Sequence, residues 1–268
     1  MAVPSIKTSD VCSPCCVAKS HRLPFSLSTT AVNKPFALIH CDVWGPFTVS
    51  SSPSTYRFYV LFVDEYSKFT WIFPLHYKSE GFSKFMEFKA FVENQFEVSL
   101  KILRTDNGSE FLSTAFQNFL KIFGIDHQLA CPYTPAQNGV AERKHRHIVE
   151  TAVALLHQSS VPLTYWFEAV ATSVFLINRM PSSKLQNLTP FEKLFHKCPD
   201  FSFLRVFGCL CYPWLRPYSV HKLQLRSAPC VFLGYVPATK GYRCLDHSSN
   251  KIYISRHVTF HEHIFPFS

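Results

Sequence analysis

The sequence predicts an α/β protein: a mixed sheet with helices on both faces, followed by a small strand-rich β module. Three observations predict it. Between residues 33 and 178, β-branched and aromatic runs alternate with stretches whose apolar residues recur at three- and four-residue steps. The order is three strands, helix, strand, helix, strand, helix, the pattern of a sheet covered on both sides. Beyond residue 199, short apolar runs are separated by turn signals and show no helical period, which suggests a small β-barrel.

Each element has its own warrant. Phe36–Ile39 is an apolar run followed by His40, Cys41 and Asp42 and closed by the breaker pair Gly45-Pro46, so it reads as a buried strand with Asp42 at its far end. Residues 56–64 and 68–75 read as a hairpin of long strands. Asp64 and Glu65, in the connection, read as solvated turn carboxylates. Phe85, Phe88, Phe91, Val92 and Phe96 place an amphipathic helix over 79–97. Residues 100–103 form a short strand, Asp106-Asn107-Gly108 the turn beyond it. Leu112, Phe116, Phe119, Leu120 and Phe123 predict one helix ending at Gly124, and 125–130 a further strand.

A helix starting near Gly139 carries Ile148, Ala152, Leu155 and Leu156 on its apolar side. Glu142 lies roughly 120° from Ile148 around this helix, off the stripe, with Arg146 one turn further on its own side. Trp166, Val170, Val174 and Ile177 mark the last helix, over 164–178. In the β module, strands are expected over 203–214, 228–235, 241–246 and 251–260, with Cys209 and Cys211 as buried thiols on one face.

Composition bounds the function. With 47% apolar residues and 27 Phe among 268, the chain can fill sizeable cores, and disorder is excluded as a description of the whole. A net charge of +9 favours a polyanionic partner. Charge alone would also fit an acidic membrane surface, but no apolar run reaches about 18 residues, so no membrane span is expected, and DNA rather than a membrane is the expected partner. The first residues lack a secretory pattern, and ten Cys then point to reduced thiols and an intracellular chain. Cys12 and Cys15 form a C-x2-C pair that could chelate one edge of a tetrahedral Zn²⁺, but no second pair follows. They are either free thiols in a leader or half of a partial zinc site.

Three carboxylates stand out: Asp42, Asp106 and Glu142, each at an element end, with 35 residues (107–141) between the last two. Singly, each has an ordinary account as a cap, a turn residue or a first-turn acid. Converging at one sheet edge, they would have to stay partly protonated or hold cations. Mg²⁺ suits such oxygens, and two ions about 4 Å apart can activate a water or 3′-hydroxyl against a phosphodiester. The basic run 143–147 beside Glu142 suits an acidic backbone.

Asp42 in HCDVWGP, Asp106 in RTDNGSEF and Glu142 in TPAQNGVAERKHR resemble the D, D-35-E signature of retroviral-type integrases, in the form carried by copia-type long-terminal-repeat retrotransposon Pol polyproteins. The words APCVFLGY, KGYRCLD and SRHVTFHE resemble the SH3-like module that follows that core. The resemblance implies an RNase H-like integrase core over 34–198, an SH3-like domain over 199–268 and a zinc-module remnant over 1–33. It implies joining of element DNA ends to target DNA with two Mg²⁺ or Mn²⁺ ions held by Asp42, Asp106 and Glu142. Asn107, Gln137, Asn138, Arg143, Lys144 and Arg146 are then expected near DNA. The active form is expected to be a nuclear homo-oligomer. Cys12 and Cys15 match the second half of the family's His-His-Cys-Cys zinc module, whose His half is absent. A non-catalytic DNA-binding relic is the alternative, and a nuclease of the same fold a third.

Overall fold

Five strands build the first sheet: β1 (Leu38–Trp44), β2 (Phe58–Asp64), β3 (Thr70–Leu75), β4 (Ile102–Thr105) and β5 (Asp126–Leu129). They lie in the order β3-β2-β1-β4-β5. β1, β2 and β3 are antiparallel neighbours, whereas β4 runs parallel to β1 and β5 parallel to β4. Parallel neighbours need long connections, and helices supply them. α1 (Gly81–Phe96) precedes β4, and α2 (Ser109–Leu112) with α3 (Thr114–Ile122) joins β4 to β5. α4 (Gly139–Ser159), α5 (Trp166–Ile177) and α6 (Pro190–Phe195) follow. The computed structural model describes residues 32–130, 138–218, 221, 223–236 and 239–268.

The side-chain period of two sorts the sheet into faces. Ile39, Cys41 and Val43 of β1 join Phe85, Phe88 and Val92 of α1 and Phe116 and Leu120 of α3 in one core. Tyr59, Leu61 and Val63 of β2, with Trp44 packed against them, turn toward α4 and α5 on the other face. Asp42 shares the alternation of Trp44, so its carboxylate points to the α4 side.

The second sheet is all antiparallel: β6 (Leu210–Pro213), β7 (Cys230–Tyr235), β8 (Tyr242–Asp246), β9 (Lys251–Ser255) and β10 (Val258–His261), in the order β10-β6-β7-β8-β9. One face of it completes the α4–α5 core: Val231, Leu233 and Leu245 pack with Ile148, Ala152, Trp166, Val170 and Val174. Its other face holds Cys209, Cys211, Cys230, Phe232 and Cys244, and Cys209 and Cys211 are buried as expected. Arg243 Nη2 of β8 donates to Glu168 Oε1 of α5 at 2.8 Å, tying the sheet to the helix. Burial pushes the Glu168 carboxyl up despite this partner.

Several expectations are corrected. The helix expected over 112–123 is broken at Ser113, whose hydroxyl accepts from Phe116 N–H at 3.3 Å and restarts the chain as α3. The run 251–260 is two strands, β9 and β10, which end up at opposite edges of their sheet. The strand expected over 203–214 shrinks to β6, because Gly208 has φ +79 and breaks the extended run. Asp64 is not a solvated turn carboxylate, and Glu65 is half-buried and paired. Asp64 is 0% exposed and accepts from Phe36 N–H, Ser67 N–H and the Ser67 hydroxyl at 2.9, 2.9 and 2.6 Å. The β2–β3 turn folds back on the start of β1, and its carboxylate ties the two together. Glu65 meets His40 Nε2 at 2.8 Å and pairs with Lys68. Among the described residues, no helix is long and apolar enough to cross a membrane.

Candidate active site

Parallel pairing sets the register of the two strands that carry the first two acids. Leu38 faces Ile102, Ile39 faces Leu103 and His40 faces Arg104. Two residues further on stand Asp42, within β1, and Asp106, just past the end of β4. The fold therefore brings these carboxylates to one edge, side by side.

Their surroundings differ. Val43 N–H donates to Asp42 Oδ1 at 2.8 Å, while Oδ2 lies 3.3 Å from His145 Nε2 of α4. The other ring nitrogen of His145, Nδ1, is 3.0 Å from the hydroxyl of Tyr59, a fully buried residue of β2. Burial, and then the charge of Asp42, hold the Tyr59 phenol far above its usual range, so it stays neutral. Tyr59 thus holds the His145 ring beside Asp42, while His145 Nε2 stays buried without a hydrogen bond of its own.

Asp106 has no such support. Gly108 N–H donates to Asp106 Oδ1 at 3.0 Å, in an Asx-type turn. Burial raises its carboxyl pKa, and the charges of Asp42 and Glu110 raise it further. The adjoining Cys41 thiol is pushed well up by burial and by Asp42, Asp106 and Glu110, and so is no nucleophile. Two hard oxygen ligands that repel each other in a half-buried setting suit a divalent cation, which would relieve both the desolvation and the repulsion.

Glu142 is placed differently. It lies in the first turn of α4 and is exposed. Among the described residues, no group of three or more His, Cys, Asp or Glu is arranged to hold a metal ion. The structure thus joins Asp42 and Asp106 and leaves Glu142 on the outer side of α4.

The residues expected near DNA are scattered in role. Arg143 and Arg146 are exposed on α4. Lys144 is lowered to about 8 by burial and by the neighbouring charges of Lys68 and Lys184. Asn107 Nδ2 donates to Ala130 O at 2.7 Å, which fastens the turn after β4 to the end of β5. Asn138 is 1% exposed, with Nδ2 3.5 Å from Cys41 O. Gln137, Cys12 and Cys15 lie outside the described residues.

Three site residues escaped the sequence: His145, Tyr59 and Glu110. His145 could have been found, because Ala141, His145, Ile148 and Ala152 share one buried stripe, but the charges at 142–147 hid its phase. Glu110 carried the signal of lying four residues past Asp106. Tyr59 carried none.

Comparison with known proteins decides the family. Residues 32–135 match the integrase core domain family, and residues 209–268 match the retroviral polymerase SH3-like domain family. The chain is 47% identical over 257 residues to the retrovirus-related Pol polyprotein from transposon RE1 of Arabidopsis thaliana. This chain carries an integrase core domain and a retroviral polymerase SH3-like domain, as retrovirus-related Pol polyproteins do. The match to the transposon RE1 polyprotein covers 96% of this chain and 17% of that polyprotein. The corresponding polyprotein from transposon TNT 1-94 of Nicotiana tabacum is 37% identical, over 94% of this chain and 19% of its own length. The chain therefore spans about a fifth of the curated relatives it matches. A cryo-EM structure of a simian T-cell lymphotropic virus intasome, in complex with the PP2A regulatory subunit B56 gamma, shares the fold at a TM-score of 0.53 and 16% identity, covering 88% of this chain and 81% of that one.

Proposed function

We propose that this chain joins DNA ends to target DNA by phosphodiester strand transfer, with Asp42, Asp106 and Glu142 as the metal-holding acids. The observation that carries the reading is the parallel register of β1 with β4, which sets Asp42 and Asp106 two residues beyond the paired His40 and Arg104, with Asp106 raised by burial and by the charge of Asp42. Bound Mg²⁺ or Mn²⁺ would activate the attacking oxygen and stabilise the leaving oxygen of the phosphodiester.

The chain's own residues supply the rest. Val43 N–H orients Asp42 through Oδ1, and His145 Nε2, 3.3 Å from Oδ2 and without a hydrogen-bond partner, is free to donate to it. Burial lowers the local dielectric around both acids and strengthens their hold on cations. Glu142 would add a third carboxylate from the first turn of α4, and Arg143 and Arg146 would meet the phosphates. Asn107, Gln137, Asn138 and Lys144 are assigned as neighbours of the DNA. The scheme forms no covalent enzyme intermediate. We assign residues 34–198 to the catalytic core and 199–268 to the SH3-like part, acting in the nucleus as a multimer.

A second reading, a DNA-binding relic without turnover, draws on the exposed place of Glu142 apart from the acid pair. A disintegration assay separates the two: the purified chain on a branched DNA with Mn²⁺ or Mg²⁺, beside Asp106→Asn. Metal-dependent resolution, lost in the variant, is expected. Folded protein that binds the substrate and resolves none of it would refute catalysis and leave the relic.

A further inference from the structure

We propose that the outer face of β6 and β10 is a stacking platform for unpaired nucleotides of a DNA strand. The face follows from register. β10 pairs with β6 as Val258–Pro213, Thr259–Tyr212 and Phe260–Cys211. Cys211 and Phe260 turn into the core of the second sheet. By alternation Tyr212 and Trp214 turn outward, with Thr259 and His257 beside them.

These side chains border an open groove of about 670 Å³ whose other wall is Arg226 and Ser227. The wall is pinned: Ser227 Oγ donates to Pro213 O at 2.7 Å, and Leu215 N–H donates to Arg226 O at 2.8 Å. Trp214 is 47% exposed, with the His257 ring 6.2 Å away at 84°. His261 stands likewise against Tyr212, 5.6 Å away at 83°. Two outward rings two residues apart on a strand are spaced by about 6.6 Å, within reach of successive bases along one strand.

Charge selects the occupant. Among the basic residues of the second sheet and its loops, Arg243 is held by Glu168, Lys240 Nζ lies 3.7 Å from Asp200, Lys251 sits over the rings of Tyr218 and Tyr253, and Arg256 is exposed next to His257. Arg226 lines the groove, and its guanidinium has no partner among the described residues. Among the described residues, no carboxylate lines the groove. An uncompensated cation attracts a polyanion, and exposed aromatic faces take bases of any sequence. Duplex DNA would use the cation but has no free base for an exposed indole, so the surface fits an unpaired strand better.

The test is binding by the full chain with chelator present, so that the acid pair takes no part. Labelled oligothymidylate and a duplex of equal length are titrated by anisotropy against the native chain, Trp214→Leu, Trp214→Phe and Arg226→Gln. Trp214→Leu, which stays apolar and loses the π face, is expected to weaken single-strand binding roughly tenfold to a hundredfold and duplex binding less than about twofold. Trp214→Phe should keep most of the affinity. Arg226→Gln should weaken both ligands and reduce the salt slope by about one. Equal losses on single strand and duplex in Trp214→Leu would overturn the proposal. So would native single-strand affinity in that variant, which would leave the groove to a protein partner.

Discussion

Replacing Gly234 by Ala should loosen the second sheet from α5. Gly234 lies in β7 where the register with β8 shifts, at φ +123. A Cβ there would meet Thr172 Oγ1 at 2.3 Å, and next Thr172 Cβ at 3.6 Å and Glu168 O at 3.8 Å. Two penalties follow. An L-residue held in that backbone region costs about 1–3 kcal/mol. Forcing a methyl into the packed contact costs about 1–3 kcal/mol more. Together they remove about 2–6 kcal/mol from a domain whose stability is of order 5–15 kcal/mol.

The two parts can be separated. Thr172→Ala deletes the clashing oxygen, and the nearest remaining atom is then at ordinary contact distance. Alone, it loses the hydrogen bond of Thr172 Oγ1 to Leu233 O at 3.4 Å, about 0.5–1.5 kcal/mol. In the double variant the packing part should vanish, giving a favourable coupling of about 1–3 kcal/mol, while the backbone part stays. Urea unfolding followed by tryptophan fluorescence, with m-values compared, measures all four proteins. Strict additivity of the two substitutions, or a Gly234→Ala chain as stable as the native one, would refute the close approach as the cause.

Asp106→Asn should raise the melting temperature of the metal-free chain at neutral pH and abolish any rise on adding Mn²⁺. The sign follows from the raised pKa: stability from this group is full below the ordinary carboxylate range and is lost as pH rises through the raised value. An unchanged Mn²⁺ shift in the variant would contradict it. Tyr59→Phe strands His145 Nδ1 in the core, at about 1–3 kcal/mol, and should lower disintegration activity without altering DNA affinity. His145→Gln, which can still offer a donor toward Asp42, should keep more activity than His145→Ala; equal loss in both would argue against orientation of Asp42 through that nitrogen.

Much of the first sheet was legible in the sequence because its signals are local. β1, the β2–β3 hairpin and α1 declare themselves through periods of two and 3.6, and Asp42 and Asp106 come at or beside strand ends. Asp64 was misread for a physical reason. A carboxylate in a polar turn looks solvated until the turn is seen folded against Phe36 N–H, a contact between residues far apart in sequence. His145 was hidden by the charged residues on either side of it, although its phase on α4 matched the buried stripe. The split of 251–260 was equally invisible, because the step at Arg256 and His257 sends two adjacent runs to opposite edges of one sheet.

By itself, the sequence determined the alternation of elements, the faces each one buries, and the placing of two acids where β1 and β4 end. Only the tertiary structure decided that the ends of β1 and β4 set these acids side by side, that Tyr59 holds His145 beside Asp42, and that the second sheet shares a core with α4 and α5. The reason is range. Helical and strand periods are written within a few residues, whereas register between strands and packing between layers depend on side chains a hundred residues apart fitting in three dimensions.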